Sequence, residues 1–318
     1  MAGVSGGRLA AAVHRAGGFS YIGAGHKPFE TLVDDVRLAR EALATPEGDL
    51  PIGVGFMGWK FEEPKMGKEA GAKEGDKWLS FIIHEAQARS IWISFANDLE
   101  YWVDRARRLE SEPAQQTGAT QRPRRERLLI AVMVHSAEQA KAALTWDHLD
   151  AVILQGTEAG GHGADFQHGR PLAQLLDEVL PLRPSPDARP LVLAAGGISS
   201  PSAVSRQLAR EGVAAVVCGT SFSVASESTL SDSQKDLLVR AEDGESGTAR
   251  SGRWDVARGT TGWPEGVDGR GLRDAVSEST GEVQKGGAPV TWAGTGVGHV
   301  QRIAPAAEIV KHLTSGDS

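Results

Sequence analysis

Seven short apolar runs alternate with amphipathic stretches along this chain of 318 residues. The runs are rich in valine and isoleucine and lack polar alternation, which is typical of strands buried on both faces of a sheet. Strand and helix repeated in this order indicate a parallel sheet with helical crossovers. The seven predicted strands are Tyr21–Ala24, Ile52–Phe56, Ile91–Phe95, Leu128–Val134, Ala151–Leu154, Leu191–Ala195 and Ala214–Cys218.

Seven strands in regular succession predict an α/β fold of the TIM-type (β/α)8 barrel class, although the alternation alone leaves an open sheet as the alternative. Polar segments at 60–77 and 110–127 interrupt the pattern, and the basic run at 122–125 in the second of them is typical of a solvated loop. A longer polar stretch contains Trp254 and Trp263, which predicts an ordered excursion or lid on the barrel. The predicted units are an α/β barrel body at 1–224, the excursion or lid at 225–290, and a C-terminal segment at 291–318 whose helix packs back on the barrel.

Composition narrows the classes of function. The formal charge of −7 disfavours a nucleic-acid partner, and no apolar run approaches the ~18 residues of a membrane span. The one cysteine, Cys218, excludes an internal disulfide and suits a reducing compartment. Residues 1–29 carry three basic side chains and no acidic one, as mitochondrial transit peptides do, but a helix followed by a buried strand explains them better. We therefore predict a cytoplasmic protein that acts on a small molecule.

Three glycine-rich loops follow directly on predicted strands. In a parallel barrel the loops after the strands lie on one face, so we expect the three to converge. Glycine lets the backbone approach a ligand closely, and successive free N–H groups bind phosphate. Tight turns alone would explain one such loop, whereas two on the last two strands predict a phosphate-bearing cofactor. The loops are Gln155–Gly163, Ala195–Ser199 and Gly219–Thr220.

His162 is the titratable residue that the pattern places best for catalysis. Histidine changes charge near neutral pH, which suits a general base, and glycines on both sides leave it little neighbouring bulk. Asp165 and His168 follow at spacings that could supply two further metal ligands, but the loop enforces no coordination geometry. We therefore expect no metal site.

These segments together resemble the nitronate monooxygenase family, formerly called 2-nitropropane dioxygenases. The resemblance spans nearly the whole chain and is most specific from Gln155 to His162. The turn at 1–6 is similar to that family's first flavin-contacting turn. The other segments that carry the resemblance are Ala194–Ile198, Gly219–Thr220, Trp263–Pro264, Asp268–Arg270 and Trp292–Gly296.

The resemblance implies a flavin mononucleotide (FMN) barrel without a metal, in which His162 is the catalytic base. The reaction it implies is oxidation of an alkyl nitronate by O₂ to a carbonyl compound and nitrite, with the redox chemistry supplied by the flavin. Met1 and Ala2 would lie near the flavin ring. The full set of implied cofactor-binding residues is Met1, Ala2, Gln155, Gly160, Gly161, Ala195, Gly196, Gly197, Gly219 and Thr220.

One departure concerns the first barrel strand, which members of the family have before the turn at 1–6 and which this chain lacks. We expect seven strands, with the eighth position open or filled by something else. An open parallel edge invites association, so a homo-oligomer is a further expectation. Two other functions remain as alternatives: an FMN-dependent NAD(P)H oxidoreductase acting on quinones or an enoyl group, and a cofactor-free barrel that only binds a ligand.

Overall fold

The computed structural model describes residues 1–25, 27–62, 66–112, 126–273 and 290–316. Within them, seven parallel strands curl into a TIM-type barrel with helices on the outside, which confirms the predicted fold class. Neighbours along the chain pair with each other from the first barrel strand to the last. The barrel strands are β1 (Tyr21–Ile22), β2 (Leu50–Met57), β3 (Ala88–Ser94), β4 (Leu129–Val134), β5 (Ala151–Gln155), β7 (Leu191–Ala195) and β8 (Val213–Val217).

Two apolar clusters form the core of the barrel, and a third, around Trp254, lies in the excursion. The larger one lies between the strands and the surrounding helices, and the smaller one fills the barrel interior around Met133 and Ile153. The helices outside the barrel are α1 (Gly7–Arg15), α2 (Phe29–Leu43), α3 (Lys68–Ser80), α4 (Leu99–Ser111), α5 (Ala137–Ala143), α6 (Leu172–Val179), α7 (Pro201–Leu208), α8 (Thr220–Ser223) and α9 (Asp232–Arg240). The remaining helices are α10 (Gly244–Gly247), α11 (Arg253–Arg258) and α12 (Ala306–Thr314).

Helix α3 begins within the polar segment at 60–77, which interrupts the strand–helix pattern of the sequence and for which no helix is predicted. Two glycines let this polar helix approach its neighbours closely. A Cβ atom on Gly71 would lie 2.0 Å from the carbonyl oxygen of Phe61, and one on Gly75 would lie 2.3 Å from the Trp102 ring. Glycine costs about 1 kcal/mol relative to alanine in a helix interior, so the local sequence disfavours a helix that tertiary packing stabilises.

The position of the eighth strand is filled by a turn. Strands β1 and β8 do not pair with each other in the described part of the chain. The turn at 1–5 lies beside the carboxyl end of β1, where the Gly23 N–H donates to the Ser5 carbonyl at 2.7 Å. The Val4 carbonyl accepts from the Thr229 N–H at 3.1 Å, which ties this turn to the segment after β8. The expectation of seven barrel strands is confirmed.

A second, antiparallel sheet lies at the carboxyl end of the barrel. It consists of β6 (Gly161–Ala164), β10 (Val267–Leu272) and β9 (Thr248–Ser251), with β10 in the middle. Two of its strands come from the excursion at 225–290, whose division from the barrel body stays a prediction. Residues 274–289 of that segment and the basic run at 122–125 lie outside the described residues.

A buried carboxylate with three arginine partners lies at the opposite end of the barrel, where the strands begin. Asp150, just before β5, lies 2.5 Å from Arg107, 2.6 Å from Arg127 and 3.0 Å from Arg189. It also accepts the Ile130 N–H at 2.9 Å. Burial opposes ionisation, but this backbone bond and the arginines lower the pKa of Asp150 overall.

We expect Asp150→Asn to lower the free energy of unfolding by about 2–3 kcal/mol, because it removes the charge that the Arg107 guanidinium faces in a buried setting. Since the folded pKa lies below the unfolded one, this stabilisation is present above about pH 4 and is lost as the pH falls further. Urea unfolding at pH 7 and pH 3 measures both effects. Asp177→Asn, at an exposed ion pair, is the control and should change stability by less than about 0.5 kcal/mol. Equal loss in both variants would contradict a specific role for Asp150.

Candidate functional site

His162 lies on a paired strand and not on a free loop. The turn before it is anchored by the Glu158 carboxylate, which accepts the Leu172 N–H at 3.0 Å. Gly161 then adopts φ +75°, a backbone conformation that favours glycine, and leads the chain into β6. There His162 pairs with Gly269 of β10. The antiparallel sheet therefore fixes the backbone of His162 at the carboxyl end of the barrel, where barrels place their sites.

The imidazole of His162 is enclosed by an acidic group and by aromatic rings. Its Nε2 atom lies 2.9 and 3.1 Å from the two carboxylate oxygens of Asp255, on α11. The Trp263 ring stacks on it with the centroids 3.6 Å apart and the planes 13° apart. Trp292 contacts it edge-on, with centroids 4.9 Å apart. Its side chain keeps 11% of its surface exposed, so a small molecule could still reach it.

Burial decides the charge of the pair. It lowers the pKa of His162 below its usual value of 6.5, an effect that Asp255 opposes and the charges of Arg250 and Arg258 reinforce. For Asp255, burial opposes ionisation, but the hydrogen bond and charge of His162 and the Thr260 hydroxyl lower the pKa overall. At neutral pH the pair is therefore a neutral imidazole beside a carboxylate.

A second buried histidine lies close to the site and was not predicted from the sequence. His135 follows β4 directly, stacks on Phe95 with centroids 5.1 Å apart, and is 7% exposed. Burial and the charge of Arg250 lower its pKa to about 3, against the opposing effect of Gln155. Among the described residues, the ring nitrogens of His135 and the side-chain oxygen of Gln155 have no hydrogen-bond partner outside this pair. Buried polar atoms without partners point to a ligand that supplies them.

Arg250, on β9, supplies a fixed positive charge to the same region. Its side chain is fully buried and donates to the Asp268 carboxylate at 2.8 Å and to the Ala159 carbonyl at 3.0 Å. Nothing in the sequence of the polar stretch around Arg250 predicts this position for it. The guanidinium thus joins the excursion to the glycine-rich loop that precedes His162.

The loops after β7 and β8, where we predict the phosphate site, follow neighbouring parallel strands. Gly196 and Gly197 have φ +124° and +68°, and Gly197 lies near the Glu158 and Thr295 side chains. The hydrogen-bond network provides no acceptor for the backbone N–H groups of Gly197, Gly219 or Thr220 within the described residues. Unsatisfied N–H groups on two neighbouring loops are the donors that a phosphate requires.

The C-terminal segment around Gly294 brings the three loops together. Its N–H donates to the Thr220 hydroxyl at 3.0 Å, and the Thr295 N–H donates to the Glu158 carbonyl at 2.9 Å. A Cβ atom on Gly160 would lie 2.5 Å from the Gly294 nitrogen. Gly160 is therefore required for contact with this segment, in addition to any contact with a cofactor.

The remaining predicted cofactor-binding residues divide between two places. Ala195 ends β7 inside the barrel, and Gln155 ends β5 with its side chain near His135. The Met1 side chain lies 3.7 Å from the position of a Cβ on Gly219, whereas Ala2 packs against Gly25. The Met1 side chain therefore lies beside the loop after β8, where we predict the phosphate, and its predicted contact with the flavin ring stays a prediction. Asp165 pairs with His168 at 2.8 Å, away from Asp255, and the described residues contain no group of three or more potential metal ligands.

Comparison with known proteins shows which family the chain belongs to. The nitronate monooxygenase family model matches residues 1–261. The chain belongs to the nitronate monooxygenase family. The nitronate monooxygenase npaC of Metarhizium robertsii is 30% identical over 95% of this chain and 85% of its own length. The resemblance inferred from the glycine-rich motifs is confirmed, and with it an enzyme of a flavin-dependent oxidoreductase family.

Solved structures show the same fold. The nitroalkane oxidase of Streptomyces ansochromogenes superimposes with a TM-score of 0.69 at 22% identity, over 98% of this chain and 91% of that one. The enoyl reductase domain of MlnA from Bacillus amyloliquefaciens gives a TM-score of 0.59 at 15% identity, over 85% of this chain and 61% of that one. No helix in the described ranges is long and apolar enough to cross a membrane.

Proposed function

We propose that this nitronate monooxygenase homologue binds FMN and oxidises alkyl nitronates with O₂, giving a carbonyl compound and nitrite, in the cytoplasm. The observation that carries the proposal is the position of His162. A neutral imidazole with one free ring nitrogen lies at the carboxyl end of the barrel, on the same face as unsatisfied phosphate-type donors. The family membership supports this reading of the geometry.

The residues present fit FMN at both of its ends. The N–H groups of Gly197, Gly219 and Thr220 would hold the phosphate. The polar atoms of His135 and Gln155, which have no partner outside that pair, would face the polar edge of the ring. When bound, FMN supplies the electron transfer to O₂, which no side chain can perform. The protein's own residues bind the substrate, exclude water and move a proton.

His162 would accept the proton that a neutral nitroalkane must lose before it is oxidised. Its pKa lies below 6.5, so the imidazole is neutral and able to accept a proton at pH 7. The resulting nitronate is an anion, and the charge of the buried Arg250 favours an anion in this part of the site. The rings of Trp263 and Trp292 form an apolar wall that suits an alkyl chain.

Purified protein supplied with FMN tests the proposal. We expect a flavin absorbance band that stays with the protein on gel filtration, and O₂ consumption matched by nitrite release when an alkyl nitronate is added. A protein that takes up no flavin would instead be a ligand-binding barrel. Flavin binding without nitrite release from any of several nitronates would overturn the proposed reaction.

A flavin-dependent NAD(P)H oxidoreductase is the second candidate. It is favoured by one observation, the fold shared with an enoyl reductase domain. Adding NADH without O₂ separates the two candidates. Fast bleaching of the flavin band, together with turnover of a quinone or enoyl substrate, would favour the reductase. A flavin that NADH leaves oxidised while nitronate bleaches it would favour nitronate oxidation.

Replacing Gly219 tests the phosphate site. Its φ is not positive, and the nearest atoms to a new Cβ belong to the Met1 side chain, so Gly219→Val should fold. The added branches should crowd the phosphate end and lower flavin occupancy by about 10-fold or more, which corresponds to about 1.4 kcal/mol of binding. Flavin content per protein after gel filtration measures the effect.

Gly247→Val is the matched control for this prediction, because a Cβ at Gly247 meets nothing within 4 Å. It should keep full flavin occupancy. Gly197→Val is a poorer test, since φ +68° makes any side chain there strained whether or not a ligand is bound. Unchanged flavin content in Gly219→Val would remove the loop after β8 from the phosphate site.

A further inference from the structure

The partner of His162 comes from a distant part of the chain. Asp255 lies 93 residues later, on α11, and both of its carboxylate oxygens are within 3.1 Å of Nε2. Only 7% of its side-chain surface is exposed. The excursion therefore does more than cover the barrel, because it contributes a charged group to the imidazole on which the proposed chemistry depends.

The chemistry of the two groups assigns the proton between them. An ionised carboxylate can only accept hydrogen bonds, so a neutral His162 must carry its proton on Nε2 and donate it to Asp255. Its free electron pair then lies on Nδ1, for which no hydrogen-bond partner is found among the described residues. We propose that Asp255 is a positioning residue that holds His162 in this tautomer, so that Nδ1 is the atom that accepts the substrate proton. The inference rests on the proposed nitroalkane chemistry.

In the step itself, the α-carbon–hydrogen bond of the nitroalkane breaks and its electron pair passes into the nitro group, which gives the nitronate. The proton goes to Nδ1, so an imidazolium forms with its Nε2–H still directed at Asp255. The Asp255 carboxylate then lies beside the positive charge of the imidazolium, which stabilises the product of proton transfer. No oxidant is needed for this step.

Two neighbours on the same segment hold the carboxylate and the ring in place. The Thr260 hydroxyl donates to Asp255 at 2.8 Å, and the Trp263 ring stacks on the imidazole of His162. Other charges that act on the imidazole are Arg250 and Arg258, and both lower the pKa of His162. Asp255 is the group that opposes them, so its loss should leave a weaker base.

The test compares Asp255→Asn with Asp232→Asn, an exposed aspartate of α9 in the same excursion. In the flavin-loaded enzyme, Asp255→Asn should lower kcat/KM for a neutral nitroalkane by about 10–10³-fold and leave oxidation of the preformed nitronate within about 3-fold. The acid limb of the nitroalkane pH profile should move to lower pH, because the imidazolium has lost its counter-charge. Asp255→Glu should recover part of the rate, and Asp232→Asn should behave as the native enzyme.

A measurement without turnover completes the test. Nitrogen-15 NMR of histidine-labelled protein should show His162 protonated on Nε2 in the native chain, with a pKa that falls in Asp255→Asn. A His162 protonated on Nδ1, an unmoved pKa, or equal losses on nitroalkane and nitronate would each overturn the inference. Failure of the native enzyme to oxidise any nitronate would overturn the proposed function instead. The NMR measurement would still show whether Asp255 sets the tautomer and pKa of His162, because it does not depend on turnover.

Discussion

Replacing His162 with asparagine should lower kcat/KM for neutral nitroalkanes by about 10²–10⁴-fold, or roughly 3–5 kcal/mol of barrier. Much more activity should remain on preformed nitronates, because these have already lost the proton that His162 would accept. Asparagine keeps a polar group beside Asp255 but is not a base at neutral pH. Oxygen consumption with the two substrates, each at several concentrations, measures the contrast.

The comparison of the two substrates distinguishes the loss of a catalytic base from the loss of the folded structure. A misfolded variant would lose both activities, so flavin content is measured alongside the rates. His312→Asn, on the exposed face of α12, is the control and should keep both rates. Equal losses in a variant that keeps its flavin would mean that His162 orients substrate or flavin and is not the base. Unchanged rates on both substrates would remove His162 from the site.

The barrel could be predicted from the sequence because its strands are buried on both faces. Such strands require unbroken Val- and Ile-rich runs, and the observed strands lie within a few residues of those runs. Helix α2 also follows from the sequence, since its buried apolar residues recur at helical spacing. Helix α3 could not be found in this way, because its glycines disfavour a helix and pack against Phe61 and Trp102, which lie outside the helix.

The candidate site shows the same difference between residues that a local pattern reveals and residues that only the fold brings together. His162 and the glycines around it form one local motif, so their role could be proposed from the sequence. Asp255 and Arg250 have no local pattern, and they reach the site only because β9 and α11 fold back on β6. His135 did carry a signal: a polar side chain directly after a buried strand lies at the carboxyl end of a barrel, where sites form. That rule, applied to every strand, would have found it.

The largest loss of stability should follow from removing Arg250. Its side chain is fully buried and ion-paired with Asp268, and a second nitrogen donates to the Ala159 carbonyl. Arg250→Met leaves a buried carboxylate without its partner, which typically costs 3–5 kcal/mol. Urea unfolding of the flavin-loaded protein measures the change. Arg253→Met, two residues past the end of β9 and exposed, should change stability by less than about 0.5 kcal/mol.

The pH dependence of that loss identifies its cause. Burial already raises the pKa of Asp268 above its usual value, against the opposing effect of Arg250. Without the guanidinium the folded pKa should rise further, so the folded chain binds a proton that the unfolded chain releases, and stability falls as the pH rises. Arg250→Met should therefore be less destabilised at pH 5 than at pH 8. The double variant Arg250→Met with Asp268→Asn should recover part of the lost stability, because it no longer buries an unpaired carboxylate. Its stability should also depend little on pH. If the double variant were as unstable and as pH-dependent as Arg250→Met, the loss would come from packing of the Arg250 side chain and from its hydrogen bond to the Ala159 carbonyl, and not from the ion pair.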